Sequence, residues 1–562
     1  MRASALFQRR AFGSSVVRQA LQPALVLATL GLAAYLRLLG LTWGLNSGYG
    51  HERNFQPDEF VSLRGVLQID LLAGQVKAPE AYFEGTFNYY LWAIPQAVLK
   101  LLVSRIPYPG GAGNTGDQSE LLYICRWMSV LFDLCTVVVV FLAIREATRR
   151  FYPSLVGALC YAVLPMQIIY SHFMRTHILS NLLCALVIWG SLKLQKSQSW
   201  QLLMTVGLLS GLGAATRYPV GLIVVMPCLC LLLNNADHAS LTHHVRFLQR
   251  AKDLISWQVW LIGLGFVIGL FIGHPMLFLD PWNVTHAITN ETLRYASLQQ
   301  FSTTQLLNVS VVWRYIVYLI PYAMYPLLWL APYSAILYLL FRSRVYSQSV
   351  PLMMFSALYL YFMAKGYLGP YFARATMLLF PGFCILVGIA SADLQLHFNN
   401  KRILAVTFTA AILLAFGPSV VFDITYDSAM QRKDAREALR EDLQTLIGGS
   451  PATIGMLRFG PYFYTVAPAV EPLKSEHVTV KLQDAGENAD FFLVGFPRTI
   501  DLRWTNATVA RIEAGSGLKY DKTYRVPVKI LGYEFSLVQF PVDMTYPFPT
   551  ILLFRKRVAP LE

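Results

Sequence analysis

Residues 86–104 read TFNYYLWAIPQAVLKLLVS, and the topology of the whole chain turns on whether this stretch crosses a membrane. It approaches the length of about 20 apolar residues that a spanning helix needs. Against crossing, it carries Asn88, Pro95, Gln96 and Lys100, and opens on the aromatic cluster Phe87, Tyr89, Tyr90 and Trp92. The basic residues decide. If 86–104 does not cross, the N-terminal Arg2, Arg9, Arg10 and Arg18 share one side with every later basic cluster. Those clusters are Arg145/Arg149/Arg150, Lys193/Lys196, Arg246/Arg250/Lys252, Arg342/Arg344 and Lys401/Arg402. One-sided Lys/Arg is what membrane insertion selects on the cytoplasmic face. If the stretch does cross, each later loop is inverted and the bias vanishes. Residues 86–104 are therefore read as an embedded or interfacial helix inside a large external loop.

Composition points the same way. Of 562 residues, 55% are hydrophobic and only 14% charged, against about 25% charged in soluble domains. That excludes an ordinary water-soluble enzyme. Residues 427–562 hold 17 Lys+Arg and 16 Asp+Glu, whereas the preceding 426 residues hold 29 and 16. A long, charge-poor membrane part, 1–426, thus precedes an external soluble domain, 427–562. The net charge of +14 comes from bases recurring between apolar runs, not from one basic face, so nucleic acid is not the partner. Eleven spans are predicted, at 21–41, 123–144, 154–171, 177–194, 202–216, 218–233, 257–279, 316–341, 350–364, 375–391 and 403–422. The first is long enough to stay uncleaved, and no small-residue cleavage site follows it. The first external loop is 42–122, and 427–562 lies outside with it. All seven cysteines sit in or beside apolar runs, so the tail has no disulfide framework and the chain shows no zinc spacing.

Within the first loop, Pro57-Asp58-Glu59 opens a helix over about 58–74. Its stripe of Phe60, Leu63, Leu67 and Leu71 suits a membrane surface. Gly110 to Gly116 is Gly-rich without a phosphate-loop pattern. In the tail, a helix over Met430 to Ile447 ends at Gly448-Gly449. Strand-like runs follow at 452–456, 462–466, 478–482, 491–496, 508–512 and 550–554, the pattern of a small α/β domain.

Acidic residues are scarce in the membrane part, so their positions carry information. Asp58-Glu59, on an interfacial helix where lipid head groups meet water, has the placement for general-base work. Pro-Asp-Glu is equally an ordinary helix opening, with carboxylates satisfying the helix dipole. On the residues alone these readings weigh about evenly. External cations run against the positive-inside bias and each needs a reason. Arg175, Arg217, Lys365 and Arg374 cluster on the external face, where a lipid phosphate would be the matching anion; snorkelling is the plainer alternative for any one of them. His172 and His177 do not share a helical face and are read as interfacial histidines, hydrogen-bonded rather than metal-binding. Asp133, within the second span, is read as a structural ion pair or interhelical hydrogen bond.

These residues carry a resemblance. Gln56-Pro57-Asp58-Glu59-Phe60, then Phe83-Glu84-Gly85-Thr86-Phe87-Asn88-Tyr89-Tyr90-Leu91, resembles the first loop of the GT-C membrane glycosyltransferases. The nearest branch holds the protein O-mannosyltransferases and the lipid A aminoarabinose transferase, glycosyltransferase family 39-like. Further matches follow in chain order: Cys125-Arg126-Trp127-Met128-Ser129, Tyr170-Ser171-His172-Phe173, Gly211 to Tyr218, Phe372-Ala373-Arg374 to Phe380-Pro381, and Asp434-Ala435-Arg436-Glu437-Ala438. The resemblance implies a GT-C fold: an all-α polytopic membrane domain of about eleven helices, interfacial helices in the first loop, and a small external α/β domain. It also implies that the first-loop acid, Asp58 with Glu59 beside it, is the catalytic base. One departure is clear. The family carries an acid shortly after its SHF-type motif, where this chain has Arg175-Thr176-His177. His177 or Glu84 is then the substitute, or activity is altered or lost.

The implied donor is a sugar on a polyprenyl phosphate, with its phosphate on Arg175, Arg217, Lys365 and Arg374. The acceptor hydroxyl belongs to a lipid, glycan or protein, and Glu84, Tyr89 and Tyr90 are the loop candidates for contacting it. A lipid monophosphate leaving group does not require a divalent metal. The rival readings are a polytopic lipid or glycan transporter or flippase, disfavoured by the lack of two related halves, and a catalytically silent family member. The disulfide-free tail favours a bacterial cytoplasmic membrane with the catalytic face outside. No motif specifies the sugar, the polyprenol, the acceptor or an oligomeric state.

Overall fold

The computed structural model describes residues 21–45, 55–103, 119–234, 256–298, 309–342, 346–364, 372–397, 402–457, 462–483, 489–496 and 502–556. Apolar helices occupy all eleven predicted span positions. Among the described residues, four are long and apolar enough to cross a membrane singly: Leu21–Leu38, Glu120–Thr148, His177–Leu194 and Ala373–His397. A fifth crossing is the pair Phe151–Ala162 and Pro165–Ser171, bent by 57° at a break. Others stop short of the length rule; Trp200–Thr216 and Trp257–Gly273 have 17 residues each, about 25 Å at 1.5 Å per residue. The predicted span 316–341 is broken, with Ile320–Ala323 and Leu330–Leu340 separated by a non-helical turn.

Close approach replaces length where helices are short. Trp200–Thr216 and Trp257–Gly273 pack so tightly that a Cβ on Gly211 would lie 2.0 Å from the Phe266 carbonyl oxygen, the small-residue contact typical of membrane helices. Some polar groups inside the bundle are paired. Asp133 takes the Arg37 Nε at 2.6 Å and the Tyr161 hydroxyl at 2.8 Å, all fully buried. This is the structural ion pair expected of an intramembrane acid, with its partner on the first helix. His172 departs from expectation: among the described residues neither ring nitrogen has a hydrogen bond, and Nδ1 lies 3.8 Å from Asp427 Oδ1.

Loops grouped by charge also meet in space. At one end Lys196 pairs with Glu146 at 2.6 Å, and Gln348 donates to the Ala147 carbonyl. The first loop collects at the other end. Its helix Pro57–Leu67 is shorter than predicted, ending on Gln68. It is packed as well: Leu63 and Val66 are buried with Tyr89, Trp92 and Cys125. Helix Phe87–Val103 is held at both ends: Thr86, before it, bonds the Gly273 carbonyl at the end of helix Trp257–Gly273, and Lys100 reaches Asp70 of the first loop at 3.3 Å. The Gly110 to Gly116 stretch lies outside the described residues.

Helix Arg402–Met430 carries the chain to the tail. There Asp434, in a capping box with Glu437, starts Ala435–Ile447, and Gly448 ends it in the left-handed region. Among the described residues seven strands follow: β1 (Ala452–Leu457), β2 (Val478–Gln483), β3 (Phe491–Phe496), β4 (Leu518–Tyr524), β5 (Val528–Ile530), β6 (Tyr533–Phe535) and β7 (Thr550–Lys556). Five form one mixed sheet, ordered β2-β1-β3-β7-β4, while β5 and β6 make a separate hairpin. Two predicted strands are helices instead, Tyr462–Val470 and Leu502–Ser516. Topology explains both. β1 pairs with β2 in parallel, and β3 and β4 both run antiparallel to β7, so each connection must cross over, usually by a helix.

The tail is not hung on the membrane part by one helix. Residues 537–548 leave the sheet and return to the helices: Phe540 stacks on Phe422 at 5.7 Å, and Tyr318 and Tyr322 donate to Gln539.

Candidate active site

Helix Pro57–Leu67 presents its two acids in opposite settings. Gln56 caps it, its side chain accepting the Glu59 N–H at 2.6 Å, and Pro57 pre-sets the first turn. Successive helical residues point about 100° apart. Asp58 opens into a cavity of about 270 Å³. Glu59 turns inward and is fully buried. Its carboxylate takes Arg126 in two prongs, at 2.9 and 2.7 Å, and the Met174 N–H at 2.7 Å. Arg126 also donates to the carbonyls of Leu41 and Trp43. Glu59 therefore clamps four pieces of chain together and does not line the cavity. The structure places Glu59, expected beside Asp58 as a reacting acid, away from the cavity, with three of its carboxylate's roughly four acceptor sites taken.

Around the cavity stand Asp58, Glu84, Arg175, His177, Arg217 and Arg374. Asp58 pairs with Arg374 Nη1 at 2.5 Å, and the Arg374 guanidinium stacks over Phe372 at 4.2 Å and reaches the Tyr170 hydroxyl at 3.4 Å. Arg175 ties the loop helix to the neighbouring acid: Nη1 donates to the Asp58 carbonyl and Ser62 Oγ, both at 2.9 Å, and Nη2 to Glu84 at 2.6 Å. Burial alone would pull the Arg175 guanidinium down, but Glu84 and Asp58 beside it push it above its usual range. Glu84 also accepts from the Tyr89 hydroxyl at 3.3 Å and from Thr176 at 3.4 Å. The stretch Arg175-Thr176-His177, itself without an acid, thus has the Glu84 carboxylate beside it.

Glycine makes that arrangement possible. Gly85 has φ +127°, and a Cβ on it would lie 2.4 Å from the Ala215 carbonyl oxygen. Only a bare backbone lets the Glu84 loop rest on the turn that ends helix Trp200–Thr216. Arg217 is the cap of that helix, in extended conformation (φ −153°, ψ 127°), and its side chain faces the cavity. Among the described residues it has no carboxylate within ion-pair distance. Burial lowers its guanidinium, with Glu84 partly restoring it. His177, the first residue of its helix, is 1% exposed and packs edge-on to Tyr170 at 5.0 Å. Neither of its ring nitrogens has a hydrogen-bond partner among the described residues.

Of the remaining candidates, Tyr89 reaches the site through Glu84, and Tyr90 bonds the Val76 carbonyl at 3.2 Å away from the cavity. Lys365 lies outside the described residues. Among those described, no three His, Cys, Asp or Glu side chains converge as a metal site. Helix Pro281–Leu298 supplies cavity residues that sequence reading missed: Ile288, Glu291 and Thr292. Val284, Ala287 and Ile288, spaced i, i+3, i+4 after Asp280-Pro281, were its signal. The cavity lies near the lower end of small-ligand sites, about 300–1,000 Å³.

No curated protein sequence matches the chain. The fold is similar to the Archaeoglobus fulgidus oligosaccharyltransferase AglB, solved with an inhibitory peptide and a dolichol-phosphate: 12% identity, TM-score 0.48, over 80% of this chain and 64% of that one. It is similar to ArnT from Cupriavidus metallidurans, solved bound to undecaprenyl phosphate: 12% identity, TM-score 0.45, over 94% of this chain and 97% of that one. The chain thus spans less than two thirds of the archaeal protein's length. Residues 120–251 match the family model described as dolichyl-phosphate-mannose-protein mannosyltransferase. Those residues, under a quarter of the chain, run from the Arg126 helix through the turn that carries Arg217, and over that stretch the chain is similar to this family of membrane mannosyltransferases.

Proposed function

We propose that the chain moves a sugar from a polyprenyl-phosphate donor to a hydroxyl of a lipid, glycan or protein acceptor, with inversion at the anomeric carbon. The carrying observation is Arg217, a cavity-facing guanidinium without an ion-pair partner among the described residues, beside a carboxylate, Asp58, that is partly open to the same cavity. An anion completes such a site. The family model's description, which names a dolichyl-phosphate sugar, supports a lipid phosphate as that anion.

In this reading Arg217 and Arg374 hold the donor phosphate, and His177 offers a ring nitrogen to the bound head group. Arg175 holds Glu84 against the loop as the second carboxylate. Asp58 accepts the proton of the acceptor hydroxyl while the oxygen attacks the anomeric carbon. The bond from that carbon to the phosphate oxygen breaks, the polyprenyl phosphate leaves with the electron pair, and the proton on Asp58 passes to solvent. The cavity faces the outside of a bacterial cytoplasmic membrane, and residues 427–562 cover it.

The test is turnover of a radiolabelled polyprenyl-phosphate sugar by the purified full chain. Asp58→Asn keeps shape and helix start but removes basicity, so turnover should fall by about 10²-fold or more with the melting temperature unchanged. Near-normal turnover in Asp58→Asn removes Asp58 as the base. Gln75→Cys and Ser475→Cys, both on exposed positions, should each be labelled from outside the cell; labelling of the two from opposite sides overturns the topology.

A further inference from the structure

The first half-turn of helix Ala373–Leu379 has no cap of its own, since Phe372 offers no side-chain acceptor. Its acceptor comes from the far end of the chain. Asp543, fully buried in the returning segment of the tail, accepts the Ala373 N–H at 3.0 Å on one oxygen and the Arg374 N–H at 2.8 Å on the other. Two orphan helix-start donors are thereby satisfied by one carboxylate, the group that a helix N-terminus favours. The segment holding Asp543 is itself fixed on both sides. Tyr426 donates to the Met544 carbonyl at 2.5 Å, Arg436 to the Tyr546 carbonyl at 3.3 Å, and Phe540 stacks on Phe422.

The residue whose amide is gripped is the one whose guanidinium pairs with Asp58. We propose that Asp543 is a positioning residue through which the external domain sets the place of Arg374, and with it Asp58, so that the domain is a working part of the cavity and not only a cover. Arg374 sits on a membrane helix and Asp58 on a loop helix; the tail carboxylate fixes the main chain from which the first of them reaches the second. This rests on the proposed function only for its second readout.

The first readout is amide exchange of the peptide containing residues 373–380 in the purified full chain. Asp543→Ala should speed exchange of the Ala373 and Arg374 amides by about tenfold or more, the worth of one buried hydrogen bond. Asp543→Asn retains one acceptor oxygen and should fall between Ala and wild type. Unchanged exchange in Asp543→Ala overturns the proposal; if the Ala variant does not fold, unchanged exchange in Asp543→Asn overturns it instead. The second readout is affinity for undecaprenyl phosphate in a double-mutant cycle. Asp543→Ala should weaken binding in the native background and have no further effect on Arg374→Ala. An equal loss in both backgrounds shows a general structural effect and also overturns it. If Arg374→Ala binds undecaprenyl phosphate normally, the phosphate role of Arg374 fails, while the exchange result still decides the role of Asp543.

Discussion

Asp58 and Glu59 are neighbours in sequence, and each faces an arginine, yet they stand in different regions of the molecule. Around Glu59 the cation is matched: Arg126 commits its guanidinium to one carboxylate and two carbonyls, and the side chains are 2% and 0% exposed. Around Asp58 the side chains stay partly open, Asp58 at 28% and Arg374 at 11%, and Arg217 nearby has no carboxylate within ion-pair distance among the described residues. The same residue types therefore mean opposite things. A saturated, dry pair is a fastener, whose removal leaves an uncompensated buried charge. An open, undersupplied cluster is a place for a ligand.

Three substitutions break or sharpen this comparison. The largest effect falls on the fastener. Glu59→Gln leaves Arg126 buried without its countercharge and should cost about 3–5 kcal/mol of stability, read as a lower unfolding temperature in detergent, with turnover per folded molecule near normal. A stable Glu59→Gln protein without turnover reverses the two roles. Next comes the undersupplied cation. Arg217→Ala should weaken binding of a polyprenyl phosphate by about 10- to 100-fold, the range for a charge-assisted hydrogen bond, with little change in unfolding temperature because no ion pair is lost. Unaltered affinity means that Arg217 only snorkels. The smallest effect is at a third kind of pair, the exposed one between Lys522 and Asp442 at 2.6 Å, with the Tyr524 hydroxyl at 2.8 Å. Those two partners hold the Asp442 carboxyl below its usual range. A folded-state value that is depressed adds stability above the ordinary aspartate range, and the gain disappears as pH falls through the folded value. Solvent screening at this 39% exposed side chain limits the gain to about 0.2–1 kcal/mol. Asp442→Asn should match wild type in acid and fall slightly below it at neutral pH; an equal difference at both pH values removes the pair as its cause.

Much of the cavity was legible in the sequence because charge is rare near a membrane. Asp58, Glu84, Arg175, Arg217 and Arg374 stood out against an apolar background, and the structure brings all five to one cavity. What stayed hidden depended on long-range pairing. Helical periodicity shows that Asp58 and Glu59 diverge but not which of them meets Arg126, 67 positions away. Asp543 is one of 16 acids in the tail, and nothing local marks it as the one that returns to the membrane helices. Tyr462–Val470 and Leu502–Ser516 carry strand-like residues, yet parallel neighbours on each side require a crossover, and that requirement overrides local preference. Breaks such as that between Ile320–Ala323 and Leu330–Leu340 are invisible to hydropathy, which averages across them.

The Asp543 cap has a consequence for how the protein is made. Asp543 lies 169 positions after the amide it grips. At about 5–20 residues per second, the ribosome reaches Asp543 about 8–34 s after it has passed Arg374. Throughout that interval the membrane helices can insert and pack, with the Ala373 and Arg374 amides still waiting for their acceptor. The cavity is thus finished by a stretch of chain made well after the helices that carry its arginines, and a nascent chain halted before residue 543 carries every cavity arginine named here but not the carboxylate that holds Arg374 in place.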